Sequence, residues 1–337
     1  MKDMNTHQCN YRLPNHNPIS FTTFNMPSLA AAIPAINGNP ILPYLPRSNT
    51  CRPLLSHRPM TVAVTATSDG TTYNNSYWTS VNDEVDAHLK QAIPIRPPLS
   101  VFEPMHHLTF AAPRTTAPAL CVAACELVGG NRDQAMAAAS ALRLMHAAAL
   151  THEHILSTGN RARTGHSFGS NIELLTGDGM VPFGLELLAK SDDLTQNSSE
   201  RILRVIIEIT HAMGSQGMAL GQYNQFQDGQ SEYIDHVCKK KEGELHSCAG
   251  AVGAILGGGT EEEIEKLRRY GLYAGLMQGV LSNWVERKEE VSMEKVLNEL
   301  ENLALKELEG FDGGKVQAIS SLVQAISSLV GTNSGNV

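Results

Sequence analysis

Two short constellations in this chain hold side chains able to do chemistry. His152-Glu153-His154 sets two imidazoles around a carboxylate, groups suited to metal ligation or proton transfer. The pattern is not H-E-x-x-H, because Leu156 stands where the second histidine must be. Imidazoles two apart on a helix also point in different directions and do not readily share an ion. Polar lining of a cavity end or an interface contact fits better, and no metal is expected here. Cys121 and Cys125 lie four apart, so a helix puts both thiols on one face. Zinc would need two further ligands, and no second close Cys/His pair supplies them. From the residues alone a buried small-residue face is expected. Gly257-Gly258-Gly259 is not a phosphate loop, since no Gly-Lys-Ser/Thr follows. An interhelical break is the plainer reading.

These residues must be positioned by helices. The run AMAAASALRLMHAAALTHEHIL, Ala135 to Leu156, is small and apolar almost throughout, which predicts a long helix buried on most of its surface. Asn131 or Asp133 can cap it. Helices are also predicted over Tyr77 to Lys90, Ala117 to Leu127, Ser170 to Leu188, Glu200 to His211, Glu232 to Leu256, Glu261 to Trp284 and Val291 to Leu308. Pro104 to Pro113 reads as turn-rich, and Ser191 to Ser199 as a polar loop. The final stretch repeats Val316 to Leu322 as Val323 to Leu329, and two copies are too few for a solenoid.

Composition narrows the class. Aromatics are 5% of 337 residues while alanine, leucine and glycine abound, favouring closely packed helices over sheets. The formal net charge of −8 is dispersed and offers no basic face for nucleic acid. No apolar run is long enough to span a bilayer. The six cysteines, at 9, 51, 121, 125, 238 and 248, show no secretory pattern, which predicts a reducing compartment. Residues 1–70 differ from the rest. Before Asp69 the only acid is Asp3, against Lys2, Arg12, Arg47, Arg52 and Arg58, and Ser, Thr, Asn and Pro are frequent. That bias suits an organelle transit peptide or a disordered tail.

Several ordered blocks resemble one family. IELLTGDG (Ile172 to Gly179), Gly221-Gln222 and GAILGGG (Gly253 to Gly259) look like the trans-prenyltransferases of the geranylgeranyl diphosphate synthase family. MHHLTFAAP (Met105 to Pro113) and CVAACELVGG (Cys121 to Gly130) resemble one branch, the small subunits of plant heteromeric geranyl diphosphate synthases. The likeness spans about Tyr77 to Glu309. It implies an all-α isoprenoid synthase-like bundle of antiparallel helices around a central cavity, one domain over 75–310, followed by a tail over 311–337. It also implies that residues 1–70 are a plastid transit peptide, processed between about Val62 and Asp69.

Catalytic members hold diphosphate through magnesium bound by two aspartate-rich motifs, because an anion beside carboxylates needs hard cations between them. In this chain the first motif falls on Glu153 and His154, and the loop behind it, with Arg161 and Arg163, lacks acids. The second falls on Leu281 to Val285, where Leu281, Ser282 and Val285 replace carboxylates. His166, Gln222 and Lys241 match positions that contact diphosphate or line the cavity in catalytic relatives. Cys121 and Cys125 match the first of two C-x-x-x-C motifs that the branch uses at the large-subunit interface. The second would start at Cys248 but ends in Val252. The resemblance therefore implies a non-catalytic regulatory subunit with no cofactor of its own. Its partner is a magnesium-dependent large subunit resembling geranylgeranyl diphosphate synthase, in a heterodimer or dimer of heterodimers in the plastid stroma. The expected effect is a bias towards ten-carbon geranyl diphosphate. The alternatives are a recruiting subunit that enhances the twenty-carbon product, or an autonomous synthase, which the missing carboxylates disfavour.

Overall fold

A run of alanines with few β-branched residues forms helix with little loss of side-chain freedom, and the chain's central helix follows from it. The computed structural model describes residues 71–158, 167–192, 199–225, 236–283 and 293–331. The proposed transit segment, Arg161, Arg163, His166 and Val285 lie outside them. The helices are α1 (Thr71–Ala92), α2 (Leu99–Ala111), α3 (Ala117–Leu127), α4 (Arg132–Thr158), α5 (Ser170–Lys190), α6 (Ser199–Met213) and α7 (Met218–Gln225). A π turn, Lys239–Gly243, then leads into α8 (Glu244–Gly257), α9 (Glu261–Asn283), α10 (Met293–Glu307) and α11 (Gly313–Gly331). The described residues belong to one compact all-α unit, as the sequence predicts, and include no helix long and apolar enough to cross a membrane.

Helix α4 starts at a capping box. Asn131 Oδ1 accepts from the Asp133 amide at 2.9 Å, and Gln134 Oε1 accepts from the Asn131 amide at 2.7 Å. Ala135, Ala138, Leu142, Met145 and Ala148 are then buried on successive turns, against α3, α5 and α8. Helix α8 is enclosed on every side, buried from Leu245 to Leu256. Glycines let its backbone touch two neighbours. A Cβ at Gly253 would stand 2.0 Å from the Cys121 carbonyl oxygen of α3, and one at Gly271 of α9 would stand 2.1 Å from the His246 carbonyl oxygen of α8. The glycine run at 257–259 ends α8 and separates it from α9, the break the sequence implies.

Three expectations are corrected. Pro104 to Pro113 is not turn-rich: α2 runs through Pro104 to Ala111. Pro104 lies near the helix start, where it forfeits one intrahelical bond, and burial of Pro104, Met105 and Thr109 offsets that loss. The domain does not end near 310, because α11 packs on α1, α3, α9 and α10. Trp78 Nε1 donates to Ser321 Oγ at 3.0 Å, and Tyr270 Oη donates to the Ile319 carbonyl at 2.6 Å. A seven-residue repeat keeps helical phase, so Ile319 and Ile326 both face inward and the duplication lengthens one apolar stripe.

The third correction concerns the cysteines expected at a partner surface. Cys121 and Cys125 are 0% exposed and Cys248 3%, turned into the chain where α3 and α8 meet. The small thiol fits a helix contact too tight for larger side chains. Burial raises the pKa of Cys121 well above the usual thiol range, with Cys125 and Cys248 nearby adding to the shift. Burial pushes Cys125 to about 12 and also raises Cys248. These thiols are protonated and poorly nucleophilic.

Two outcomes follow from this packing. Removing either heptapeptide gives the same shortened chain, in which Val330 takes the place of Val323 and the burial of Ile326 is lost. Urea unfolding is expected to show about 1.5–3 kcal/mol less stability. For the cysteines, Cys121→Ser desolvates a hydroxyl in a fully buried position and is expected to cost about 1–3 kcal/mol. Cys125→Ser costs less, because the Asn131 carbonyl that accepts from its thiol at 3.4 Å can accept from the hydroxyl. Neither chelators nor reductants should shift the unfolding midpoint of the unmodified chain.

Candidate functional site

Polar chemistry begins where α4 emerges from the core. Glu153, on the last turns of α4, meets Gln225 at the end of α7 and Lys241 in the π turn. Lys241 Nζ donates to Glu153 Oε2 and to Gln225 Oε1, both at 2.8 Å, and Gln225 Nε2 donates to Glu153 Oε1 at 3.0 Å. The three groups close a ring in which both carboxylate oxygens are engaged and the charges cancel. The Lys241 and Glu153 side chains are only 17% and 20% exposed, so solvent screens the pair incompletely.

This donor set does not fit magnesium. The ion requires an octahedron of oxygens, usually with one or two carboxylates facing open coordination positions. Here the single carboxylate already accepts from an ammonium, which would repel a dication in the same place. His154 is exposed and supplies a nitrogen where an oxygen is wanted. Across the bundle, Leu281 is half-buried and Ser282 is exposed, its hydroxyl donating to the Gln278 carbonyl at 3.0 Å. Among the described residues no group of three or more His, Cys, Asp or Glu converges as a metal site.

The other site residues fall into place around this ring. Gln222, one turn before Gln225, is buried and donates through Nε2 to the Ala149 carbonyl at 2.6 Å, so it ties α7 to α4. Lys241, which the resemblance places near diphosphate, pairs with Glu153. Beside them, α4, α5, α6 and α7 line a partly open cleft of about 310 Å³. Its walls are mainly apolar, with Met145, Ala149, Met213 and Met218 among them and His152, Thr210 and Gln222 as polar members. His152 lies against Gly177, where a Cβ would stand 2.5 Å from its Nε2, which gives the TGDG block a packing role.

Buried polar groups that sequence reasoning missed lie deeper. Thr116 Oγ1 lies 2.8 Å from His246 Nε2, and His246 Nδ1 lies 2.8 Å from the Glu242 carbonyl. A carbonyl can only accept, so Nδ1 carries the proton and Nε2 accepts from the threonine hydroxyl. Gln278 Nε2 donates to Thr116 Oγ1 at 3.3 Å. Burial lowers the pKa of His246 and keeps the ring neutral. His146 is lowered further, to about 3, by burial and by the positive charge of Arg143 and other nearby groups. Arg143 itself holds the Pro113 and Ala112 carbonyls at 2.8 and 2.9 Å. One signal was available: a lone histidine inside the apolar run of α8 must find partners when buried.

Comparison with known proteins agrees with this architecture. The Polyprenyl synthetase family profile matches residues 100–279. The heterodimeric geranylgeranyl pyrophosphate synthase small subunit 1, chloroplastic, of Cannabis sativa is 47% identical over 290 residues, covering 80% of this chain and 90% of that protein. The crystal structure of the geranyl diphosphate synthase small subunit from Antirrhinum majus is 54% identical with a TM-score of 0.68, over 74% of this chain and 98% of that one. A chain of the mint heterotetrameric geranyl pyrophosphate synthase is 49% identical with a TM-score of 0.66, over the same shares. The small-subunit resemblance read from the sequence is thus the one these relatives carry. With more than half its length matched by the family profile and its helices superposing on solved members, the chain belongs to the polyprenyl synthetase family.

Proposed function

We propose that this chain is a non-catalytic small subunit of a heteromeric prenyl diphosphate synthase, which binds a catalytic large subunit and biases it towards the ten-carbon product. The observation that carries the reading is the Glu153–Gln225–Lys241 ring, an internal ion pair at the position that the sequence resemblance assigns to the first metal-binding motif. Magnesium and both five-carbon substrates are then the large subunit's to bind. The names of the small-subunit relatives support assembly with a larger partner, and the chloroplastic naming of the Cannabis protein supports a plastid setting.

A docking face is available on α5 and α6, which pack side by side. Leu174 and Leu175 of α5 are 43% and 66% exposed, and Leu203 and Ile207 of α6 are 59% and 60% exposed. Exposed apolar side chains on two neighbouring helices suit the apolar centre of a stable interface. A related helical partner can bury them through a contact inherited from a symmetric ancestor. Across such a contact this chain alters the partner's cavity or release rate. A tenfold bias needs only about 1.4 kcal/mol of difference between the competing steps.

Co-purified complex and large subunit alone, each given dimethylallyl and isopentenyl diphosphates, test the reading. The ratio of ten- to twenty-carbon product is expected to rise about tenfold in the complex. An unchanged ratio with complex formation confirmed would reject it. Enhanced twenty-carbon output would favour the alternative of a recruiting subunit, in keeping with the geranylgeranyl product in the Cannabis relative's name. Leu203→Glu with Ile207→Glu is expected to weaken co-elution on the order of a hundredfold, because two charges would be buried without partners.

A further inference from the structure

Two imidazoles are sealed inside helices that pack on each other, His146 of α4 at 6% exposure and His246 of α8 at 0%. Each fits only as a neutral ring. His246 uses both nitrogens: Nδ1 donates to the Glu242 carbonyl and Nε2 accepts from Thr116 Oγ1, both at 2.8 Å. A second ring proton, on Nε2, would point at an oxygen that already accepts from Gln278 Nε2 at 3.3 Å. The threonine could accept it only by turning its own hydroxyl proton elsewhere. Glu242 is the one charged group acting on this ring among the described residues. Its carboxylate, 3.8 Å from Nδ1, offsets part of the cost. His146 has no such relief. Its Nδ1 is buried without a hydrogen-bond partner among the described residues, so a charged ring would leave at least one N–H unmet. The charges that reach it are positive: Arg143 one turn back, His246 when protonated, and Lys241 in the π turn. Asp86 of α1 is spent on Arg143 and Arg114.

We infer that His146 and His246 form an acid-released latch: neutral rings let α4 and α8 close on each other, and a proton taken up by either forces the junction open. The π turn runs directly into α8, so opening there also draws Lys241 away from Glu153. Burial lowers the pKa of both rings in the folded chain, His146 to about 3. The unfolded chain takes up the same protons near 6.5, the ordinary histidine value. The latch's contribution is therefore whole above that pH and is lost as the pH falls below it. Paired carboxylates such as Glu208 act in the same direction, but only from the ordinary value of 4.5 downwards. The window between pH 6.5 and 5 belongs to histidines. His88, half-buried against Ser140, is also lowered by burial and titrates there, so variants rather than the total slope carry the test.

Urea unfolding of the full chain at pH 7.5 and at pH 5.0 reads the folding constant at both ends of the window. That constant is expected to fall at least about thirtyfold for the unmodified chain, which is the share of His146 alone. His146→Phe keeps a planar ring and removes the titrating nitrogens, and should make the fall about thirtyfold smaller. His246→Gln should also flatten the profile. A fall in His146→Phe as large as in the unmodified chain overturns the inference. A second measurement needs no variant to fold: NMR of the unmodified chain with labelled histidine rings. At least two imidazoles should remain neutral at pH 5, where exposed histidines are charged. Fewer than two neutral rings overturns the latch whatever the variants do. Neither measurement involves a partner or a product, so its failure is distinct from failure of the small-subunit reading.

Discussion

At two points on α8, backbone meets backbone with no side chain between, against Cys121 of α3 on one side and through Gly271 of α9 on the other. Everything around the candidate site is set by that contact. With α8 fixed between α3 and α9, the π turn that precedes it carries Lys241 to the end of α4, where Glu153 waits. The same contact explains the small residues at 121, 125 and 248. Any bulkier side chain there would separate the helices, and separation would break the threonine–histidine–glutamine chain that crosses them. Close packing of this kind leaves little room for continuous adjustment.

On the proposed reading, the ring keeps the shape of a metal-dependent site without its metal. A carboxylate left alone in a half-buried position would be costly, and a lysine left alone there would be equally exposed to that cost. Pairing them removes both problems, and the glutamine uses the remaining donor and acceptor positions. The apolar cleft beside the ring needs no metal to persist, because it is built by helices that the core holds in place. Scaffold and chemistry are thus separable in this fold.

Much of this was legible in the sequence. The alanine-rich run gave α4 nearly to its ends. What composition could not reveal was direction. Four-residue spacing puts Cys121 and Cys125 on one face, but whether that face meets a partner or α8 depends on glycines more than a hundred residues later. Likewise Lys241 and Glu153 are 88 residues apart, and only the tertiary fold reveals that they neutralise each other. The α2 helix was missed because Pro104 and Pro113 outweighed a burial gain that no local pattern displays. The duplicated heptapeptide was unreadable for the same reason: its value lies in the groove that receives it.

The account's central claim is that this chain lends shape to a synthase without performing its chemistry. The most direct test is product formation by the purified chain alone, with magnesium and radiolabelled isopentenyl diphosphate together with dimethylallyl diphosphate. The account predicts no prenyl product above a protein-free blank at any magnesium concentration. Metal-dependent product that rises in proportion to the amount of this chain, from a preparation free of any large subunit, would contradict it.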